Sequence, residues 1–425
     1  MFKDDGYAIL SHRWVGHEIT FEQIQKFTSQ LQNQKDQPTV QLAKIRGACD
    51  RAREQGIKWM WIDTCCIDKS SSSEETEVLN SMFRWYRDAK LCITLFNDVR
   101  FSPQNPRENT FDRIEGGASS VWFTRGWTLQ ELLAPKYMQF YDMDWQYMGT
   151  KAELAHLLAR ITRIDVSYLT GERHFSSACI ASKMSWMASR ITQRPEDMAY
   201  SMLGIFDVFL TPRYGEGMRA FMRLQQHLLS TLTDESLFAW KFPTSDSPQK
   251  HATTTGSSGM DEYKLPRSQN SEAFPRLSGW EPEEWALLVP SPSCFFESTQ
   301  LAISGSALPR LHGGFSMTQQ GLQMPIFDPG KARTLAYYVA PLWIFRYPFK
   351  RMLQQRARAK DLKFPLNCWR TDSEGRQVRV QLRLRRTAKD SVILKRARCH
   401  EFEYTYKEPS ISRAQRAEPH TVLLP

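Results

Sequence analysis

The sequence predicts an α/β fold: an open, mostly parallel sheet flanked by helices, then a helical extension, then a β-rich C-terminal region. Three observations carry this. Over residues 1–165 short apolar runs alternate with amphipathic stretches through short connections, the pattern of a parallel sheet covered by helices. Residues 166–242 keep the helical period alone. Beyond residue 284 a period of two takes over, clearest in "VRVQLRLRR" (378–386), where Val378, Val380, Leu382 and Leu384 alternate with Arg379, Gln381, Arg383 and Arg385. That is one buried and one basic face of a strand.

The elements follow in order. "YAILSH" (7–12) is an apolar run suited to a buried strand. "TVQLAKIRGACDRAREQG" (39–56) sets Leu42, Ile45 and Cys49 at helical spacing and ends on Gly56, a natural C-cap. "KWMWIDTCCID" (58–68) reads as a second buried strand running into a loop. "SSSEETEVLNSMFRWYRDAK" (71–90) opens with serines and glutamates that suit a helix N-terminus and carries Val78, Met82, Trp85 and Tyr86 as an apolar stripe. "LCITLFND" (91–98) is a third strand, 100–120 a polar loop, "YMQFYD" (137–142) a fourth strand and "KAELAHLLARITRI" (151–164) a helix. "CIASKMSWMASRIT" and "AFMRLQQHLLSTL" are helical, and "HEFEYTYK" alternates as a strand. Trp59, Trp61, Trp85 and Trp186 are expected on core faces.

Composition narrows the class. The chain has 425 residues, 41% hydrophobic and 12% aromatic, enough for two domains with a sizeable core. It has no apolar run of 18 residues and no apolar signal region at its start, so a cytoplasmic location without a membrane span is expected. The eight cysteines include the adjacent pair Cys65–Cys66 but no CxxC, which points to reduced thiols and gives no support for a zinc site. Residues 346–425 hold 20 Lys and Arg against 8 Asp and Glu, leaving a slight negative balance in the rest of a chain whose net charge is +10. No zinc, helix-turn-helix or RNA-binding motif accompanies that basic region, so nucleic acid is not an expected partner.

In an open parallel sheet, ligands bind at the carboxyl ends of the strands. Polar residues gather there: Ser11-His12-Arg13-Trp14, Asp63 to Asp68, and Asn97-Asp98. His12 reads either as a strand-end histidine bonded to backbone or as a contact to a nucleotide ribose or phosphate, with Arg13 beside it for pyrophosphate and Trp14 at the same strand end. Asp63 is placed to meet a ribose hydroxyl or to position His12; Asp68 caps a loop. Cys65 and Cys66 read as small buried hydrophobes, with a thiol nucleophile based on His12 as the alternative. Arg194, Glu196 and Asp197 precede a helix and suggest a structural salt bridge.

"WFTRGWTLQELLAP" (122–135) holds the most informative carboxylate. Thr128-Leu129-Gln130-Glu131 has the spacing of a capping box, in which Glu131 reaches back to the Thr128 N–H. Leu129, Leu132 and Leu133 define a core face that leaves Glu131 off it, one turn after Trp127. A carboxylate beside an indole also suits catalysis, and both roles stay open.

Taken together, "YAILSHRWVGHEITFEQI", "WMWIDTCCIDKSSSSE…SMFRWY" and "WFTRGWTLQELLAP" resemble the three signature blocks of the fungal heterokaryon incompatibility (HET) domain, and "RITQRPEDMAYSMLGIFDVFLTPRYGEG" resembles the stretch that follows. The resemblance covers about residues 6–240. No GxxxxGK[ST] occurs, so the nucleotide-switch ATPase module of some such proteins is not expected. The resemblance implies non-self recognition and cell-death signalling, or a non-catalytic interaction module, with other HET or TIR-like domains as partners and self-association. It further implies a Toll/interleukin-1 receptor (TIR)-like core. Many TIR domains assemble and some hydrolyse NAD, which makes NAD a candidate substrate rather than a resident cofactor. By that analogy Glu131 is the catalytic carboxylate, Trp127 stacks on a ring of NAD, and His12, Arg13, Trp14, Asp63 and Asp68 contact the dinucleotide. The expected divisions are 1–165 for the α/β core, 166–242 for its helical extension, 243–283 for a flexible linker or insertion, and 284–425 for the β-rich basic region.

Overall fold

The computed structural model describes residues 6–30, 40–68, 72–102, 110–114, 117–232, 234–242, 287–303, 316–318, 321–326, 362–386, 393–397, 401–405 and 418–422. The segment 243–283 lies outside them. Two compact units divide the chain: one holds residues up to Ala178 together with Ser189–Leu224, the other holds Cys179–Ala188 and the described residues from Gln225 onward. The stretch 166–242 therefore contributes helices to both.

The first unit is built on a five-stranded sheet. Its strands are β1 (Ala8–His12), β2 (Met60–Trp61), β3 (Leu91–Leu95), β4 (Met138–Tyr141) and β5 (Tyr147–Thr150), in the order β2-β1-β3-β4-β5. The first four run parallel and β5 pairs antiparallel with β4 at the edge. All five residues of β1 and of β3 are buried, as expected of central parallel strands covered on both faces. The connections carry α1 (Phe21–Gln30), α2 (Val40–Glu54), α3 (Asp63–Cys66), α4 (Ser72–Asp88) and α5 (Thr128–Leu133).

Strand alternation sorts the core into two faces. Ala8 and Leu10 pack with Ala48 and Ala52 of α2, with Ile62 and Cys65, and with Leu91, Ile93 and Leu95 of β3. The register places Ala8 beside Leu91, Ser11 beside Thr94 and His12 beside Leu95, so Ser11 and Thr94 point to the opposite face. There Phe96, Phe111, Trp122, Phe123 and Phe140 form an aromatic cluster with centroids 5.1–5.7 Å apart. Further along are α6 (Ala155–Thr162), α7 (Val166–Thr170), α9 (Asp197–Tyr200) and α10 (Leu203–Phe206). Gly204 of α10 lies so close to α4 that an added Cβ would overlap the Phe83 side chain.

The second unit contains α8 (Ile180–Met187), whose first turn is held by Asp234: its Oδ2 accepts from Ile180 N at 2.7 Å. Its sheet has the described order β6-β9-β10-β11-β13-β8-β7, with β12 also on β10. The strands are β6 (Ala302–Ile303), β7 (Ser316–Thr318), β8 (Gly321–Ile326), β9 (Leu362–Thr371), β10 (Gln377–Arg386), β11 (Ile393–Ala397), β12 (Glu403–Thr405) and β13 (Glu418–Val422). Val378, Val380, Leu382 and Leu384 are buried as the alternation predicts. The opposite face is less open than it reads: Arg379 is buried, donates to Leu366 O at 2.6 Å and lies over Trp369, while Arg383 pairs with Glu403. Helix α11 (Arg219–Thr231) contributes residues to both units.

Two local expectations need correction, and one strand is missing from the sequence reading. The stretch after Trp61 is not strand and loop: Asp63–Cys66 make a helical turn. Trp59 is 51% exposed rather than on a core face. The strand β5, "YMGT", is too short and too polar for its period to show. No helix among the described residues is long and apolar enough to cross a membrane.

Candidate functional site

Glu131 sits on α5, a six-residue helix buried at every position. Its start is fixed by side chains folded back onto carbonyls: Thr128 Oγ1 donates to Trp122 O at 2.6 Å, and Arg190 Nη1 donates to Arg125 O and to Thr128 Oγ1, each at 2.8 Å. Arg190 reaches this place because Ile191 bridges Arg125, with Gly126 N donating to Ile191 O at 2.8 Å. Beyond the helix end, Lys151 Nζ donates to Leu132 O at 3.1 Å and Pro135 O at 2.5 Å, a cation where the helix dipole favours one. Burial lowers Lys151 to about 8 and Arg190 to about 9, the Arg190 shift being opposed by Glu131.

The capping box does not form. Thr128 lies inside the helix, after Trp127, and the Glu131 carboxyl points to β1. Its Oε2 accepts from Ser11 Oγ at 2.6 Å, and Ser11 Oγ accepts from Trp122 Nε1 at 3.0 Å. Glu131 is 6% exposed, so it is not off the buried side of α5. Burial raises it to about 8; Asp63 adds to the rise, while Ser11, Arg190 and Tyr86 oppose it. At neutral pH the carboxyl is mainly protonated.

His12 belongs to the other face of β1. Its Nε2 lies 2.9 Å from Asp63 Oδ1 and its Nδ1 lies 3.0 Å from Lys44 Nζ. An ammonium only donates, so Nδ1 is the acceptor and Nε2 carries the proton to Asp63. Lys44 also pairs with Glu18 at 2.5 Å, and both side chains are about nine-tenths buried. Asp63 Oδ2 accepts from Trp14 Nε1 at 2.8 Å; Trp14 itself is 44% exposed. Both nitrogens of His12 are thus engaged, which removes it as base for a cysteine thiol.

Asp63 is the group common to both faces: it holds His12 and Trp14 directly, and its charge reaches Glu131. His12 and Glu131 do not share a face. Arg13 is half-buried and accepts at its carbonyl from Asn97. Asp68 lies past α3, its N–H donating to Glu74 at 3.0 Å. Trp127 joins a third group: its indole is hydrogen-bonded to Asp197, which burial raises to about 6 and which Tyr214 also contacts at 3.0 Å. Glu196 receives the N–H groups of Gly215 and Gly217 at 2.8 Å each, and Arg194 lies over the Tyr214 ring.

Sequence reasoning gives Tyr86, Trp122, Arg190 and Lys44 no role in a site, and names Ser11 only as part of a polar strand end. Ser11 alone left a signal, as the one hydroxyl inside an apolar strand. Among the described residues no group of three or more His, Cys, Asp and Glu is arranged to hold a metal ion.

Comparison with known proteins bears on this geometry. Residues 7–115 match the family model of the heterokaryon incompatibility protein (HET). Over this segment the chain is similar to the HET domain. Over 228 residues it is 39% identical to the vegetative incompatibility protein HET-E-1 of Podospora anserina, a match covering 52% of this chain and 16% of that protein. The chain thus aligns with well under a quarter of that relative's length. Residues 219–312 match a domain of unknown function, DUF8212. No solved structure matches. The HET match includes His12, Asp63 and Tyr86 and ends before Glu131, so α5 stands outside the matched segment while its carboxyl reaches Ser11 within it.

Proposed function

We propose that this chain acts in heterokaryon incompatibility, as a non-self recognition and cell-death signalling protein of the cytoplasm, and that its α/β unit is a TIR-like NAD glycohydrolase with Glu131 as the working carboxylate. The supporting observation is a single carboxyl raised to about 8 by burial, beside a serine hydroxyl near the carboxyl end of a central parallel strand. Cleavage of NAD breaks the bond between ribose C1′ and the nicotinamide nitrogen, which leaves with the electron pair. An ionised carboxylate stabilises the cationic sugar until water attacks it. Glu131 is buried and mainly neutral here, so activity requires α5 to open. Self-association with other HET or TIR-like domains is the trigger that fits this closed resting form. The experiment is the full chain with NAD at low and high protein concentration, with nicotinamide release measured. Release should rise steeply with concentration and fall about a hundredfold or more in Glu131→Gln. Release at the parental rate from Glu131→Gln would refute the assignment.

A second reading is a non-catalytic interaction module. It is favoured by the enclosure of Glu131 between Ser11, Tyr86 and Arg190, which suits a buried pin between α5 and β1. No release of nicotinamide from self-associated protein would select it.

A further inference from the structure

Both ends of α5 are held by contacts that do not involve the Glu131 side chain. At its start Gly126 N donates to Ile191 O, Thr128 Oγ1 donates to Trp122 O, and Arg190 Nη1 donates to Arg125 O. At its end Lys151 Nζ donates to Leu132 O and Pro135 O. In the middle, Ser11 Oγ of β1 donates to Glu131 Oε2. The direction of that hydroxyl is set from the sheet side. Trp122 is 1% exposed and packs edge-on against Phe96 and Phe123. Its indole N–H only donates, so it takes a lone pair of the Ser11 oxygen and leaves the hydroxyl hydrogen for the carboxyl. Trp122 and Ser11 thus form a prepared catch, and Glu131 is the group it holds.

The geometry points to Ser11 as an autoinhibitory latch: its hydroxyl keeps the Glu131 carboxyl turned in against β1, and parting of this contact uncovers the carboxyl while both ends of α5 stay in place. The inference rests on the reading of Glu131 as the working carboxylate and names how that carboxylate is kept idle. The end clamps act on backbone carbonyls and on Thr128, so they survive a change in the direction of Glu131. The Ser11 bond does not. A carboxyl that leaves its donor inside the protein is costly until water reaches it, which holds the latch shut at rest. Substrate cannot meet the carboxyl in that state, because Glu131 is buried and Ser11 beneath it is 0% exposed.

The test follows coupling of glycine ethyl ester to carboxyl groups of the full chain by a water-soluble carbodiimide, mapped by peptide mass spectrometry. Asp142, also 0% exposed and in the same unit, reports global unfolding. In the parent at low concentration both Glu131 and Asp142 should react slowly. In Ser11→Ala, Glu131 should gain about tenfold or more over Asp142, the scale of one lost hydrogen bond to a carboxyl. Ser11→Cys keeps a weaker donor; it should lie between the two and serves where Ser11→Ala does not fold. Nicotinamide release at low protein concentration should rise by a similar factor in Ser11→Ala. Equal gains at Glu131 and Asp142, or no gain at Glu131, would overturn the proposal, as would slower release from a variant whose Glu131 is uncovered. Where no form releases nicotinamide, the catalytic reading fails and the labelling decides the latch by itself.

Discussion

Ser11 Oγ donates to Glu131 Oε2 over 2.6 Å, across 120 residues of sequence, and this contact ties α5 to the middle of the sheet. Ser11 also accepts the Trp122 indole N–H. Ser11→Ala therefore deprives two buried groups at once. A loss of roughly 1–3 kcal/mol for each orphaned group is expected, read as a lower urea midpoint with an unchanged slope. Parental stability in Ser11→Ala would show that the contact contributes nothing net.

The carboxyl of Glu131 makes stability depend on pH with a definite sign. Its pKa is raised from 4.5 to about 8 by folding, so between those values the folded state holds a proton that the unfolded chain has released. Stability then falls as pH rises from about 4.5 to about 8 and levels off above. Glu131→Gln mimics the protonated carboxyl: it carries no charge, and its oxygen still accepts from Ser11. The variant should match the parent near pH 4.5 and exceed it at pH 8 by a few kcal/mol at most. Urea unfolding of both proteins across this range checks it, and parallel curves would contradict a buried neutral carboxyl.

Lys151 closes the far end of the same helix. Lys151→Met keeps the buried chain length but strips Leu132 O and Pro135 O of their donor. A cost of about 1–3 kcal/mol is expected from the unsatisfied carbonyls, partly offset because the ammonium no longer has to be buried. Hydrogen exchange at the α5 amides should quicken more than at β3 if the lysine fixes the helix rather than the sheet.

Gly204 permits α10 to lie against α4. In Gly204→Ala the new methyl overlaps Phe83, and the strain of overpacking should cost about 1–3 kcal/mol. Gly204→Ala combined with Phe83→Leu should recover part of that loss. No recovery in the double variant would mean that the contact is not the source of the strain.

These cases also show what the sequence makes legible. The parallel strands β1, β3 and β4 are visible because strands buried on both faces are nearly continuous in apolar residues. Short elements are not: β5 has four residues, and α3 hides in the run that begins as β2. Glu131 stands out as a carboxylate, but its role misleads. The spacing to Thr128 describes a local cap, whereas the real partners come from β1, α4 and the loop of Arg190. Periodicity assigns a residue to a face; it carries no information on which distant side chain will meet it there. The same limit hid Lys44, whose contact with His12 spans 32 residues, and the link of Trp127 to Asp197.

The strand β1 has a consequence for how this protein can vary. Ser11 serves the carboxyl on one side and His12, the next residue, serves Lys44 and Asp63 on the other. A single-residue deletion or duplication inside the strand would reverse the parity of everything beyond it, turning the imidazole toward Glu131 and the hydroxyl toward the ammonium. Two such changes would restore the order. Length changes here are therefore tolerated only in even steps, and lineages that diverge by one residue in β1 must reinvent both clusters together or lose both.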